Sequence, residues 1–420
     1  AWRNDSGVAM DDRSLYATIL GLSQPWGVER VEVRSAERAV HVWVKEAEGT
    51  QFTCPECSGV ALIYDHVDRQ WRHLDTCQFT TQLHAGVPRV RCATHGVKTI
   101  RVPWAERHSH FTLLFERLAI AWLREATPAA VARQLGLTWE QANGIVERAV
   151  RRGLARRPTA AATRIGIDEH SYLKPHQYVT MVVDLDRKVV LDVADHRREE
   201  TLEPYFRGLT SEERAAIQAI AIDMWDPYLK TIRAWVPGAN HKVVFDKFHV
   251  MRMATFAVDA VRAREQKVLR ARGDQRLTGT KYLWLKNPAN LDRLSAAARF
   301  QFRQLKQSSL KAARAWAIKE SFRQLWEYRS VAAARAFVRR WMAWAKRSRL
   351  RPIVYFAGII HRRLANILTY LTHRITNAVS EGLNAKIQWI KYSSRGFRNR
   401  ERFKLAILFH LGGLDLEPRV

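Results

Sequence analysis

Cysteine is scarce in this sequence. The 420 residues include only four cysteines, too few for the disulfide frameworks that stabilise small secreted domains. Four cysteines in a chain of this length fit a metal site in a reducing cytosol better than they fit disulfide bonds.

Long apolar segments are also missing. No run of about 18 apolar residues occurs, so we predict no membrane-spanning helix. The chain does not open on a signal-peptide pattern. Residues 1 to 9 are expected to form a loose tail, with Met10 as a candidate natural start.

Acidic residues are outnumbered. The chain has 69 Lys and Arg against 41 Asp and Glu, a formal net charge of +28. Such a surplus favours polyanions and makes association fast and salt-sensitive. Anionic membranes are a weaker alternative, and solubility alone would not require so large a surplus. The composition therefore predicts a nucleic-acid partner.

Two distant stretches have an apolar residue at every second position and are each followed by an aspartate. Residues 164–170 and 219–226 each carry isoleucines at alternate positions, as one buried face of a strand should. Asp168 and Asp223 follow these isoleucines. Open α/β sheets place their ligands at the C-terminal ends of such strands.

A third acid, Glu381, lies in a predicted helix. Apolar residues around it recur at roughly helical spacing: Val379, Leu383, Ile387 and Ile390. Three carboxylates rarely gather without a cation, because close like charges raise one another's pKa. Asp168, Asp223 and Glu381 therefore predict a two-metal phosphoryl-transfer site.

Two other acids are rivals for this site. Asp246 follows a third predicted strand, and Asp226 begins a predicted helix, where it can favour the helix dipole. Both are expected to point elsewhere. His249 could contact a phosphate, although a packed or surface histidine is the more ordinary interpretation.

Two short motifs have the spacing of a zinc site. Two residues separate Cys54 from Cys57, two separate Cys92 from His95, and 34 residues lie between the pairs. Two such knuckles can close a tetrahedral zinc shell, which is structural because no position stays open. Two more histidines, His73 and His84, are alternative fourth ligands without the knuckle spacing, and Cys77 is expected to pack as a small apolar residue.

Residues 111–153 are predicted to be helical and to contain a helix-turn-helix. Thr127 and Pro128 are typical of a helix start, Gly136 permits a tight turn, and Thr138 can cap the next helix. The recognition helix is predicted over residues 139–151. An ordinary helical hairpin is the alternative. The predicted DNA contacts on this helix are Trp139, Gln141, Asn143 and Arg148.

From residue 163 onward the pattern changes to strands. They are predicted at 163–169, 177–184, 188–195, 217–222 and 241–245, with helices at 199–207 and 225–235. Three strands, a helix, a strand, a helix and a strand is the order of an RNase H-like fold. Residues 251–372 are almost wholly helical and basic. An aromatic stripe within them favours core packing over base stacking: Phe337, Trp341 and Trp344.

A basic segment follows Glu381. Asn384 lies one helical turn after Glu381, and Gly396 supplies a turn surrounded by arginines. These residues can grip a DNA backbone, whereas a solvated basic turn is the alternative. The predicted contacts are Asn384, Lys386, Arg395, Arg398 and Arg400.

The motifs together resemble the ISL3 family of bacterial insertion-sequence transposases across nearly the whole chain. Those that carry the resemblance occur in order: Cys-x2-Cys, Arg-x-Trp-x-His-Leu-Asp, the helix-turn-helix, Gly-Ile-Asp-Glu, Ile-Asp-Met-x-x-x-Tyr, Asp-Lys-Phe-His, and Glu-Gly-x-Asn with Arg-Gly-Phe-Arg-Asn. The second knuckle departs from the expected Cys-x2-Cys, which leaves the fourth zinc ligand open.

The resemblance implies an α/β RNase H-like catalytic core with an all-α insertion domain, preceded by a small zinc-binding β module and a helix-turn-helix. The implied boundaries are listed in order: 1–50 for a helix and strand pair, 51–108 for the zinc module, 109–158 for the helix-turn-helix, 159–250 for the first part of the core, 251–372 for the insertion, and 373–420 for the second part of the core.

The resemblance also implies a DDE transposase with Asp168, Asp223 and Glu381 as its triad. Two Mg²⁺ ions, for which Mn²⁺ can substitute, would serve strand cleavage and transfer, and Zn²⁺ would be structural. The implied partner is double-stranded DNA, both the terminal inverted repeats and the target. A homodimer or larger assembly on DNA, no membrane, and a nucleoid-associated location in a bacterial cytoplasm are also expected.

Two other function classes compete with this interpretation. A non-catalytic zinc-finger and helix-turn-helix regulator leaves the three acids unexplained. An RNA-processing nuclease of RNase H type would not need two DNA-reading modules. Divalent-metal-dependent nicking of DNA discriminates an enzyme from a regulator.

Overall fold

A computed structural model describes residues 11–158, 161–173 and 177–419. The predicted tail, residues 1 to 9, lies outside the described residues. Contacts divide the chain into two compact units: a first unit of Ala1–Arg157 with Leu414–Val420, and a second unit of Pro158–Gly413. The segment from Leu414 onward thus groups with the first unit, although the sequence analysis assigned it to the core. The other domain boundaries stay predictions.

The first unit begins with one short helix and a sheet. Helix α1 runs over Asp12–Ile19. Asp11 caps it by accepting from the backbone of Ser14. The strands are β1 (Trp26–Arg34), β2 (Ala39–Glu46), β3 (Phe52–Thr53), β4 (Val60–Thr76), β5 (Phe79–Cys92) and β6 (Gly96–Thr99).

The sheet has the order β1-β2-β5-β4-β3, with β6 paired to β5. Strands β1 and β2 pair in antiparallel orientation, as expected for the strand pair within residues 1–50. Alternate residues of β2 and β5 are buried, as the pleat requires. They build one core around Trp71: Val40, Val42, Val44, Leu83, Ala85 and Val87.

Three helices follow in the first unit, and they confirm the helix-turn-helix. They are α2 (Leu113–Glu125), α3 (Pro128–Leu135) and α4 (Trp139–Ala155). Thr127 and Thr138 cap α3 and α4 with their hydroxyls, and Gly136 ends α3 with a positive φ of 63°. Helix α4 is one turn longer than predicted. Its Arg152 donates to the carbonyl of Leu416 in the C-terminal segment.

The second unit is built on a five-stranded mixed sheet. Its strands are β7 (Arg164–Leu173), β8 (Gln177–Asp184), β9 (Val189–Asp195), β10 (Ala219–Ile222) and β11 (Val243–Phe245). Their order is β11-β10-β7-β8-β9. Strand β10 is parallel to both β7 and β11, while β8 and β9 are antiparallel additions. The predicted RNase H-like order is confirmed.

Helices surround this sheet. Between β9 and β11 lie a 3-10 turn (Glu199–Leu202), α5 (Glu203–Gly208), α6 (Ser211–Ala216), α7 (Asp226–Trp235) and α8 (Ala239–Lys242). The insertion comprises α9 (Lys247–Arg270), α10 (Lys281–Leu285), α11 (Ala296–Gln307), α12 (Lys311–Arg323), α13 (Val331–Arg347) and α14 (Arg351–His373), with 3-10 turns at Pro288–Arg293 and Gln324–Glu327. The chain returns to the sheet with α15 (Ala378–Ser393) and α16 (Arg400–Leu411).

The insertion shares one core with the sheet. Of the predicted aromatic stripe, Phe337 and Trp341 are buried in that core, whereas Trp344 is exposed. No helix in the described part of the chain combines the length and apolar character needed to cross a bilayer.

Candidate functional site

Strand register brings two of the predicted acids together. Strands β7 and β10 pair in parallel, with Ile165 opposite Ile220 and Gly166 opposite Ala221. Continuing this register by two residues places Asp168 beside Asp223. Neighbouring strands lie about 4.8 Å apart, so the two carboxylates meet at the same edge of the sheet.

A third carboxylate joins them. Asp168, Glu169 and Asp223 each offer an oxygen, and these oxygens lie within 4.8 Å of one another. Burial, followed by the charge of Asp223, raises the pKa of Asp168 to about 7. Burial also raises the pKa of Glu169. Such crowding of half-buried acids is relieved by a bound divalent cation, so the residues fit a metal site.

Glu381 lies in the first turn of α15 and lines the same open cleft, of about 420 Å³. All three acids predicted for the site therefore border one space. Glu381 is outside the group of oxygens that lie within 4.8 Å of one another. The remaining side chains of the cleft are Glu169, Arg197, His249, Arg252 and Asn384.

Asn384 orients Asp168. Its Nδ2 donates to Asp168 Oδ2 over 2.8 Å, and its Oδ1 lies 3.2 Å from His170 Nδ1. The sequence analysis assigned Asn384 to DNA. In the structure its amide spans a carboxylate and an imidazole, which holds Asp168 in one rotamer.

His249 is a cleft residue that the sequence analysis undervalued. Its Nδ1 lies 2.6 Å from Asp223 Oδ1 and 3.8 Å from Asp246 Oδ2. The contact with Asp223, followed by that with Asp246, raises the pKa of His249 to about 10. The available signal was its position in the first turn of α9, three residues after a strand-end acid.

The two rival acids have other partners. Asp246 is fully buried and caps α9: its Oδ2 accepts from His249 N over 3.2 Å and its Oδ1 from Asn377 N over 3.3 Å. Asp226 pairs with Arg363 of α14. Neither lines the cleft.

Helix α15 reaches the sheet because Gly166 has no side chain. A Cβ on Gly166 would lie 2.8 Å from Ser380 Oγ, 2.9 Å from Asn377 Oδ1 and 2.8 Å from Leu185 Cδ2. Real Cβ atoms essentially never make contacts this short, so the side chains of Asn377 and Ser380, next to Glu381, or the strand itself would have to shift.

Gly166→Ala is therefore expected to lower strand cleavage strongly and to reduce the stability of the second unit by about 1–3 kcal/mol, as overpacking does. Thermal unfolding and a cleavage assay measure both effects. Gly208→Ala is the matched control, because no atom lies within 4 Å of a Cβ there. Wild-type cleavage by Gly166→Ala would show that α15 does not depend on this close approach.

The predicted zinc ligands gather in the first unit. Cys57 Sγ lies 3.7 Å from Cys92 Sγ, and His95 Nδ1 lies 3.8 Å from Cys54 Sγ and 3.5 Å from Cys92 Sγ. Zinc bonds of 2.0–2.3 Å in a tetrahedron put neighbouring ligand atoms about 3.3–3.8 Å apart. The backbone N–H groups of His95 and Thr94 lower the pKa of the Cys92 thiol to about 7, which favours the thiolate that binds metal.

The alternative ligands lie elsewhere. His73 is buried, with Nδ1 2.9 Å from Thr112 Oγ1, and burial lowers its pKa to about 4. His84 contacts His41. The prediction that Cys77 packs as an apolar residue is wrong: it is exposed in the β4–β5 turn with a φ of 48°.

Several predicted DNA contacts on α4 also hold the helix together. Gln141 completes a capping box, accepting from Thr138 N over 2.8 Å. Asn143 Nδ2 donates to the Trp139 carbonyl over 2.7 Å.

Arg148, also predicted to contact DNA, donates through Nε to Oε1 of the buried Glu116 over 2.9 Å. Arg152 shares Glu116 and also pairs with Glu106. Arg148 therefore has a structural partner inside the first unit.

The basic segment after α15 forms a turn. Arg395 and Gly396 have positive φ values of 54° and 89°. Lys386, Arg395 and Arg398 are exposed. Arg400 is less exposed and lies 3.9 Å from Asp195.

Three protein-family models match the chain in order. The model described as the zinc-finger of transposase IS204/IS1001/IS1096/IS1165 matches residues 50–95. The helix-turn-helix domain of transposase family ISL3 matches residues 100–150. The ISL3 model described as a transposase matches residues 165–407, more than half of the chain.

Curated relatives are similar along nearly their whole length. The chain is 29% identical over 431 residues to the transposase for insertion sequence element IS1557 of Mycobacterium tuberculosis, with 95% of each covered. It is 28% identical over 404 residues to the transposase for insertion sequence element IS1001 of Bordetella parapertussis, covering 95% of this chain and 98% of the relative. A solved structure, the Drosophila P element transposase strand transfer complex, matches 74% of this chain and 94% of that chain at 10% identity and a TM-score of 0.36.

Proposed function

The chain belongs to the ISL3 family of insertion-sequence transposases, and from this premise we propose which of its residues cut, transfer and recognise DNA. It is a DDE transposase with a DNA-binding helix-turn-helix and a zinc-finger module. The regulator without catalytic activity is thereby excluded.

Asp168, Asp223 and Glu381 are the proposed catalytic triad. The observation that carries this assignment is the parallel register of β7 and β10, which sets two aspartates side by side in the cleft that Glu381 also lines. The proposed ions are two Mg²⁺, with Mn²⁺ able to substitute, because a ligand set of carboxylate oxygens suits both.

The surrounding side chains position this triad. Asn384 holds the Asp168 carboxylate, and His249 holds that of Asp223. When bound, a pair of divalent cations stabilises the attacking and leaving oxygens of a phosphodiester. Arg197 and Arg252 line the cleft beside the acids and are placed to donate to non-bridging phosphate oxygens.

Two successive phosphoryl transfers follow from this arrangement. Hydrolysis breaks the bond between phosphorus and the 3′ oxygen, leaving a 3′-OH on the transposon end and a 5′ phosphate on the flanking DNA. That 3′ oxygen then attacks a phosphorus atom of target DNA. A bond forms between the transposon 3′ oxygen and this phosphorus, and the bond from the phosphorus to the 3′ oxygen of the target strand breaks. Neither step needs a covalent bond to the protein.

The direct test uses purified protein and a duplex that carries one terminal repeat with its flank. Strand cleavage is expected with Mg²⁺ or Mn²⁺ and is expected to stop when neither cation is added, whereas DNA binding persists in both conditions. Denaturing gels measure the cleavage, and extension by a polymerase detects the new 3′-OH. Metal-independent cleavage would contradict the proposal.

Cys54, Cys57, Cys92 and His95 are the proposed zinc ligands. Their mutual distances support a closed tetrahedral site with no open position, so zinc there is structural and not catalytic.

Helix α4 is proposed to enter the major groove of the terminal repeats. Trp139, Gln141 and Asn143 lie near its N-terminus, where recognition helices contact bases. The other proposed DNA contacts lie on α4, on α15 and on the segment that follows α15: Arg148, Lys386, Arg395, Arg398 and Arg400. Asn384, which lines the cleft, is a proposed contact to the DNA strand bound there.

Gln141 can be tested without unfolding α4, because a glutamate at this position also completes a capping box. Gln141→Glu is expected to lower the preference for repeat DNA over random DNA by a factor that corresponds to about 1–3 kcal/mol. Arg151→Gln, on the same helix, is the control: it should weaken both DNAs equally and reduce the salt slope by about one. Binding titrations across salt measure both. Equal loss on both DNAs by Gln141→Glu would show that it reads no base.

Two transposon ends must be joined in one reaction. We therefore propose a homodimer or larger assembly on DNA, acting at the nucleoid in a bacterial cytoplasm.

A further inference from the structure

Helix α15 exposes two large aromatic side chains beside the catalytic cleft. Trp389 is 60% exposed and Tyr392 is 82% exposed. The opposite side of the helix is buried through Leu383, Ile387 and Ile390, which pack on the sheet. Neither exposed ring contributes to that core, so folding does not explain the two aromatics.

Both rings lie on the exposed side of the helix that carries Glu381. Trp389 follows Glu381 by eight residues, which places it about 80° around the helix from Glu381, and Tyr392 follows it by eleven residues, which is close to three full turns of 3.6 residues each. At 1.5 Å per residue they lie about 12 Å and about 16 Å along the helix from Glu381. A DNA strand advances about 3.4 Å per nucleotide. The rings are therefore about three to five nucleotides from a phosphate at the acids.

Small residues lie on the exposed side of α15 next to Glu381. Residue 385 is an exposed alanine, and a Cβ on Gly382 would meet no atom within 4 Å. Exposed cations border the face: Lys386 on α15 and Arg395 and Arg398 just after it. Aromatic rings set among cations are the arrangement by which proteins hold unpaired nucleic acid, with bases stacked on rings and phosphates paired with cations.

A second helix borders the cleft with the same pattern. On α9, Phe248 is 47% exposed and Phe256 is 61% exposed. Arg252, midway between them, lines the cleft, and its guanidinium lies 5.8 Å from the centre of the Phe256 ring. Exposed aromatics thus flank the acids on two separate elements.

We propose that Trp389 and Tyr392 stack on unpaired bases about three to five nucleotides from the scissile phosphate, so that the enzyme opens the DNA near the cleavage site and holds it open. The proposal rests on the catalytic role of the cleft. The occupant is unpaired DNA rather than a second protein chain, because the face is continuous with the cleft and bordered by cations.

The experiment places 2-aminopurine, one position at a time, within six nucleotides of the cut in terminal-repeat DNA. The full-length protein with its zinc is added without Mg²⁺ or Mn²⁺, so that no strand is cut. Wild type is expected to change the fluorescence at positions about three to five nucleotides away, and Trp389→Ala and Tyr392→Ala are expected to lose this change. Tyr355→Ala is the matched control, since Tyr355 is 70% exposed on α14 and does not line the cleft.

Cleavage of two substrates completes the test. On fully paired DNA with Mg²⁺, Trp389→Ala is expected to lose about 5- to 150-fold, the range that base stacking on an aromatic ring implies. On DNA already mismatched at those positions it should cleave nearly as wild type, and Trp389→Phe should act as wild type on both. Glu381→Gln should cleave neither substrate yet keep the fluorescence change, which separates failure of the stacking proposal from failure of the catalytic assignment.

Several outcomes would overturn the proposal. One is an equal loss on paired and mismatched DNA, and another is a fluorescence change that survives both alanine variants. A third is a smaller assembly for Trp389→Ala in light scattering with unchanged fluorescence, which would assign the face to a protein interface.

Discussion

Asp168→Asn, Asp223→Asn and Glu381→Gln are each expected to abolish strand cleavage and strand transfer while leaving binding to the terminal repeats intact. Neutralising one carboxylate weakens the metal pair, whose stabilisation of the transition state amounts to several kcal/mol, so rates should fall by about 10³-fold or more. No residue of the proposed recognition helix α4 lines the cleft, so these substitutions leave its side chains unchanged. Removing a negative charge can also tighten DNA binding slightly.

Matched variants make this test specific. Asp226→Asn removes a carboxylate that pairs with Arg363 outside the cleft, and it should retain cleavage. Asp246→Asn should retain measurable cleavage, because asparagine can still cap α9. Single-turnover cleavage, strand transfer and repeat binding are measured side by side for all variants.

Glu169→Gln decides the remaining ambiguity. Glu169 lies with Asp168 and Asp223 in the close group of oxygens, whereas Glu381 approaches from α15. We expect Glu381→Gln to be inactive and Glu169→Gln to retain activity. Full activity of Glu381→Gln together with an inactive Glu169→Gln would show that Glu169, and not Glu381, is the third member of the triad.

Cys54→Ser is expected to release zinc and unfold the zinc-finger module. Structural zinc binding of this type contributes about 10–16 kcal/mol, and that binding free energy is folding free energy. Purified wild type should hold about one zinc per chain, because one tetrahedral shell takes four ligands. Removal by a strong chelator should reproduce the variant. Metal analysis and limited proteolysis of the N-terminal region measure both effects.

Cys77→Ser is the control for this experiment. Cys77 is exposed in the β4–β5 turn and lies outside the ligand cluster, so its loss should change neither zinc content nor folding. His95→Cys should keep zinc, because a thiolate also fits a tetrahedral site. A native module that contains no metal, or one that stays folded without it, would refute a structural zinc.

Much of this protein follows from local sequence alone. Alternating isoleucines with a terminal acid predicted strands β7 and β10, because a strand buries every second side chain. Cys-x2-Cys and a threonine-proline helix start are also signals of a few residues, and each is read from its own chemistry. The candidate acids and the zinc motif were therefore predictable from local sequence, and the motifs taken together carried the resemblance that implied the family and its order of domains.

Only the tertiary structure decided how these parts meet. Glu381 is 158 residues beyond Asp223 (381 − 223), and the insertion between them leaves no local signal of contact. Its helix reaches the sheet through the bare backbone of Gly166. The Gln141 side chain accepts a hydrogen bond from Thr138 N and so completes the capping box of α4. Similarly, Arg148 pairs with Glu116, Asn384 binds Asp168, and His249 holds Asp223. Hydrogen bonds and ion pairs depend on distance in space, and spacing along the chain does not report that distance once the chain has folded.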